Sequence, residues 1–217
     1  MVEAESLSAG RGHGQQSRRP FPPRGDVPCA DLFARPGARY LRRMPPTAPA
    51  RPAPDEYNAF YAAYIALVPD GDVRALLETQ GAETAAFIRS RGDVWAASRY
   101  APGKWSPKEV ICHMADAERI FAYRALRIAR GDQTPLASFD ENAYVPLSGA
   151  DARSVSDLLD EMAAVRTATV RLFRTFDDAA WKRSGTASGK PISVRALAYI
   201  TAGHERHHLA ILKERYR

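Results

Sequence analysis

From Asp55 onward, apolar residues recur at helical spacing in five stretches, separated by glycine, proline and capping signals. Tyr57, Phe60, Tyr61, Tyr64, Ile65 and Val68 form a short leading stretch that Pro69-Asp70-Gly71 closes. Asp72 caps a second stretch with Val73, Leu76, Leu77, Phe87 and Ile88, ending near Gly92. The third start is the best marked, with Ser106 as cap, Pro107 at the first helical position and Glu109 completing a capping box. Trp105 is placed to staple onto Val110, and the stripe continues through His113, Met114, Ala117, Ile120, Phe121 and Ile128 to Gly131-Asp132. After an irregular connection over residues 131–150, Ser154 or Ser156 opens a fourth stretch with Val155, Leu158, Leu159, Met162, Val165, Leu172 and Phe176. Ser193 opens the last, which runs through Val194, Leu197, Thr201 and Ile211 to the end. Alternating strand-like runs are almost absent. The pattern predicts an all-α fold, an antiparallel four-helix bundle with one short helix ahead of it.

Residues 1–54 break this pattern. They show no sustained period, hold ten of the sixteen prolines, and carry nine arginines against four acids. Such a segment cannot bury enough apolar surface to offset its ordering entropy, so a disordered Pro/Arg-rich leader is expected there, with Met44 as an alternative start. The net charge of +6 is therefore mostly the leader's, because residues 55–217 hold 22 Lys+Arg against 21 Asp+Glu. Without the leader the basic balance that would favour a nucleic-acid partner disappears. The 163 residues that remain suit one domain, able to bury roughly 70% of its unfolded surface without staples. Two cysteines, Cys29 and Cys112, exclude a disulfide framework and fit a reducing cytoplasmic setting. The longest apolar run, Ala62 to Val68, is too short for a membrane span, and no secretory signal precedes it.

The candidate chemistry lies in the histidines. His13 is in the leader; the others are His113 and those of His204-Glu205-Arg206-His207-His208. His204 and His208 take core-facing steps at i, i+4 on the stripe Leu197, Thr201, His204, His208, Ile211, and His113 stands on its own stripe between Val110 and Ala117. Three imidazoles aimed into one bundle core predict a shared metal, with a fourth position open to water or substrate. His207, about 60° before His204 on the helix, is the competitor for His208, about 40° past it; stripe continuity into Ile211 favours His208 and leaves His207 flanking the site. Glu205 is a candidate base toward a metal-bound water, against the alternative of an exposed helix acid. The same string satisfies H-E-x-x-H, but a zinc protease needs a third ligand downstream and the nine residues after His208 contain no histidine. Asp116, three residues after His113, could receive an imidazole N–H or pair with Arg119. Cys112 points about 100° from His113 and reads as a core or interface residue.

The Trp105-to-Glu109 start with His113 one turn on, the pair His204 and His208, and the loop Phe139-Asp140-Glu141-Asn142-Ala143-Tyr144 resemble the DinB/YfiT-like superfamily of metal-binding four-helix bundles. The resemblance covers residues 55–217. It implies His113, His204 and His208 as ligands of a divalent metal, zinc or nickel, often in a homodimer. It further implies a transferase that attaches a low-molecular-weight thiol such as bacillithiol or mycothiol to a small electrophile; a metal-dependent hydrolase with Glu205 as base, or a non-enzymatic metal-binding stress protein, are its alternatives. Ile211 stands where some members carry Gln. A metal with an open position would hold the thiol as thiolate at neutral pH, and the chain offers no good cysteine nucleophile of its own. Arg124 and Tyr144 are candidates for orienting an anionic cosubstrate.

Overall fold

The computed structural model describes residues 47–216. The expected leader lies outside the described residues up to position 46, Met44 included. Residues 47–54 are described, and they do not behave as leader. Pro49 and Pro52 are buried, and the Arg51 guanidinium donates to the carbonyls of Ile65 (2.8 Å) and Val68 (2.7 Å). The ordered chain therefore begins upstream of Asp55, at least as far back as Thr47. Two of its prolines, Pro49 and Pro52, pack inward, while the residues between and around them stay exposed.

The helices are α1 (Ala62–Ala66), α2 (Val73–Ala96), α3 (Pro107–Ala129), α4 (Glu141–Tyr144), α5 (Val155–Phe173), α6 (Asp178–Lys182) and α7 (Val194–Arg215). The four long ones, α2, α3, α5 and α7, form the bundle. The caps are those the residue types demand: Asp72, Ser106, Ser154 and Ser193 each accept a backbone N–H from the first turn of their helix. Gly92 interrupts α2 with φ +77°, where a side chain would be strained, and a last turn resumes to Ala96.

The order around the bundle is α2–α5–α3–α7, with α2 and α3 on one diagonal. Antiparallel packing holds for two of the four contacts. Glu78 meets Arg174 and Asp93 meets the Val155 N–H, so α2 and α5 run in opposite directions. Arg183, just before α7, donates to the Ala129 carbonyl at the end of α3, while Tyr216 at the other end donates to the Trp105 carbonyl. By contrast α3 and α5 run parallel: Ser106 bonds Asp151 at their starts, and Arg130 lies over the Phe176 ring at their ends. The α2–α7 pair is parallel as well, with Gln80 on Ala202 and Trp95 on Tyr216. Parallel neighbours explain the long connection over 131–150. After α3 the chain must travel back along a helix of 23 residues, roughly 35 Å, before α5 can start.

Two short strands that the sequence pattern does not predict precede α7. β1 (Ser184–Ala187) and β2 (Lys190–Ser193) pair antiparallel across Ser188-Gly189, both at positive φ (52° and 70°), the geometry of a two-residue hairpin turn. At four residues each they are too short to show alternation. Their role is to anchor the connection: Leu136 bridges to Ala187 and exchanges backbone hydrogen bonds with Thr186 and Ser188.

At Gly203, α1 lies directly on α7. A Cβ there would sit 2.0 Å from the Tyr64 carbonyl oxygen, so only glycine admits this approach, and it carries the Tyr64 ring to the next residue, His204. Among the described residues no helix is long and apolar enough to cross a membrane.

Candidate metal centre

The capping box of α3 forms in full, Ser106 Oγ accepting from the Glu109 N–H (3.1 Å) and Glu109 accepting from the Ser106 N–H (2.7 Å). This fixes where α3 starts, and hence the height at which His113 faces α7. There its Nε2 lies 3.0 Å from Nε2 of His204, which in turn lies 3.1 Å from Nε2 of His208. All three rings are buried, and they are packed by aromatic neighbours: Trp105 on His113 (ring centroids 4.9 Å apart), Tyr64 and Phe121 on His204 (5.5 and 5.7 Å).

Protons cannot satisfy this arrangement. A neutral imidazole has one N–H and one lone pair, so a proton between two of these nitrogens leaves the third facing a lone pair. Imidazolium is disfavoured: burial pushes His113 down to about 4, and lowers His204 and His208 well below the ordinary range, the neighbouring rings adding to the effect. A cation fits. Bonds of 2.0–2.1 Å in tetrahedral directions would set nitrogens about 3.3 Å apart, close to the separations observed. Three neutral imidazoles are a borderline donor set suited to zinc, nickel or copper rather than magnesium or calcium.

The sign of the pH dependence follows. A histidine whose folded pKa lies below its unfolded value contributes stability above about pH 6.5 that is lost as pH falls toward the folded value. For His113 the shift from 6.5 to about 4 corresponds to about 3 kcal/mol. Chelator-treated protein should show a melting temperature that falls steeply between pH 6.5 and 4, and less steeply with His113→Leu. A flat profile would remove the case for buried neutral imidazoles.

A sequence model of the DinB superfamily matches residues 76–212, more than half of the chain and all three histidines. The chain belongs to the DinB superfamily. Among solved structures it is similar to YfiT from Bacillus subtilis, described as a probable metal-dependent hydrolase with an unusual four-helix bundle topology. The TM-score is 0.60 at 20% identity, over 76% of this chain and 90% of that one, a likeness of fold. No curated protein matches the chain.

The other residues singled out in this DinB-superfamily chain are placed differently from one another. His207 is half-buried between the rings of Tyr64 (5.0 Å) and His208 (5.1 Å) and flanks the cluster without joining it. Asp116 does not reach His113; its carboxylate pairs with Arg119 at 3.0 Å. Cys112 lies in the core, and burial pushes its thiol up, away from nucleophile chemistry.

Glu205 requires a correction. It is neither an exposed acid nor a free base: it is buried, with Oε1 taken by Thr84 Oγ1 (2.6 Å) and Oε2 by Arg166 Nη2 (2.7 Å) and Gln80 Nε2. With three donors already on its two oxygens, this carboxylate is committed to α2 and α5 rather than held free as a base. Arg124 also serves the fold. Its buried guanidinium donates to the Ala137 carbonyl (2.7 Å) and Ser188 Oγ (3.2 Å), clipping the crossover connection to the hairpin turn. With Tyr144 it lines a separate cavity of about 310 Å³ that none of the three histidines touches.

The acid whose charge reaches the cluster is Glu141. Its carboxylate opposes the burial-driven fall of His113 and adds to the burial-driven rise of the Tyr64 phenol. The motif contained this residue, but nothing in its spacing distinguished it from Asp140, which caps α4. His208 opens onto a pocket of about 240 Å³, with Trp105, Val110 and Ile211 on its apolar side and Asn142 from α4 among its polar lining.

Proposed function

We propose that this chain is a metal-dependent enzyme that holds one divalent cation, zinc or nickel, on His113, His204 and His208 and transfers a low-molecular-weight thiol to a small electrophile. The observation that carries the reading is the convergence of three buried Nε2 atoms, a donor set with no carboxylate and a pocket leading to it. When bound, the cation supplies Lewis acidity that lowers the pKa of a thiol at the open position. The chain's own residues do the rest. The three imidazoles stay neutral and so present lone pairs at neutral pH; Trp105, Tyr64 and Phe121 keep bulk water off their rings. In this reading the thiol comes from a cosubstrate, because Cys112, the cysteine among the described residues, is buried with its pKa raised. Glu141, whose side chain makes no hydrogen bond or ion pair among the described residues, is the carboxylate available to take up the thiol proton.

Metal-dependent hydrolysis is the second reading. It is favoured by the description given to YfiT, and in this chain its base would be Glu141 in place of Glu205. The two separate in one assay. Metal-reconstituted protein is offered a panel of electrophiles, esters included, with and without an added thiol such as bacillithiol or mycothiol. Thiol transfer predicts electrophile consumption only with the thiol, with equimolar thiol loss. Product formation without thiol would select hydrolysis, and no turnover in either arm would remove the enzymatic reading.

A further inference from the structure

The pocket in front of His208 carries a second signal. Its polar lining consists of Lys104, Tyr100 and Asn142, besides His208 itself and Tyr216; no Asp or Glu among the described residues lines it. The Tyr216 hydroxyl is spent on the Trp105 carbonyl. The other three side chains make no hydrogen bond or ion pair among the described residues, and each can donate one: an ammonium, an amide N–H and a phenol O–H.

Lys104 stands out against the cations around it. Arg99 is held by Glu109 and Asp151, and Lys108 by Asp93 at 3.2 Å. The Lys104 backbone, meanwhile, is fixed. Its N–H donates to the Ala101 carbonyl (3.2 Å), its own carbonyl accepts from Arg99 Nη1 (3.1 Å), and Gly103 before it takes the left-handed conformation (φ +73°) that closes the turn. A lysine without a partner on a pinned turn, facing a pocket with two further donors and no acid, is a place for an anion. Trp105, Val110 and Ile211 supply the apolar surface for the body that carries it.

We infer that the pocket between Lys104 and His208 binds a small organic carboxylate, its anionic end on Lys104, Asn142 and Tyr100 and its apolar body along Trp105. This deepens the enzymatic reading, and rests on it only for the claim that the other end of the molecule meets the histidines; the anion preference stands without a metal.

The test uses phenylacetate and its neutral isostere phenylacetamide, titrated calorimetrically into full-length protein, zinc-reconstituted in one series and chelator-treated in the other. Phenylacetate should bind about fivefold more tightly than the amide in both series, the upper end of what one ion pair to the exposed Lys104 allows. Lys104→Met should reduce that ratio to near one while leaving the amide's affinity unchanged. Equal affinities in the wild-type protein, binding of neither probe, or a preference that survives Lys104→Met would each overturn the inference. A preference confined to the zinc series and indifferent to Lys104→Met would place the anion on the metal: the Lys104 site falls and the metal reading stands. If the protein takes up no zinc, the metal reading falls, and the chelator-treated series still decides the carboxylate site.

Discussion

Replacing His204 with Ala is expected to abolish stoichiometric metal binding, with an affinity loss on the order of 100-fold or more. His204 is the central histidine of the three, its Nε2 lying within 3.1 Å of both others. Sharing even the lower end of zinc-site binding energies, about 10 kcal/mol, over three imidazoles assigns each about 3 kcal/mol. The pair left behind, His113 and His208, cannot close a tetrahedral site alone. The check is elemental analysis after reconstitution, with a chelator competition for the affinity. His207→Ala is the control: that ring touches Tyr64 and His208 but lies outside the cluster, and one metal per chain should be retained. A His204→Ala protein that keeps a full equivalent would show that the metal sits elsewhere.

The convergence of the three histidines was legible in the sequence because its signal is periodic. Histidines at core-facing steps of two helices must meet something inside a bundle, and the i, i+4 pair sets two of them side by side. Glu205 was illegible for the complementary reason. Placing an off-stripe acid in solvent assumes that α7 has an outer face. In fact Ala196, Ala198, Tyr199, Ile200, Ala202 and Gly203 are all buried, because α1 and the residues before it cover the side of α7 that a simple four-helix bundle would leave exposed. A helix enclosed on all sides gives no periodic sign of which polar residue is paired. The parallel α3–α5 contact escaped for another reason: helix direction follows from the path of the connection, and a loop's length does not show where it runs. Its length was visible; that it serves to return the chain along the bundle was not.

The buried partners of Glu205 set up the largest expected effect on stability. Arg166 on α5 donates Nε and Nη2 to the two oxygens of Glu118 on α3 (2.9 and 2.7 Å), Nη2 also to Glu205 on α7 (2.7 Å), and Nη1 to the Leu77 carbonyl on α2 (3.2 Å). Gln80 and Thr84 of α2 complete the shell of Glu205, so one guanidinium joins all four long helices. Gln80 uses both amide hydrogens here, on Glu205 and the Ala202 carbonyl, and its own Oε1 is buried with no partner among the described residues. The node also orients the site. Glu205 follows His204 by about 100° of helix, so holding Glu205 toward α2 and α5 turns His204 toward α3 and His113. Arg166→Met leaves two buried carboxylates without their cation and is expected to cost about 3–5 kcal/mol, measured by urea unfolding of the metal-free protein. Much of that loss is the penalty of stranded charge rather than of lost packing. The triple variant Glu118→Leu, Arg166→Met, Glu205→Leu should therefore recover most of the stability. Its metal affinity should nevertheless stay below wild type, because leucine at position 205 no longer fixes the rotation of α7. A single Arg166→Met change costing under 1 kcal/mol would mean that the node neither holds the helices nor sets the direction of His204.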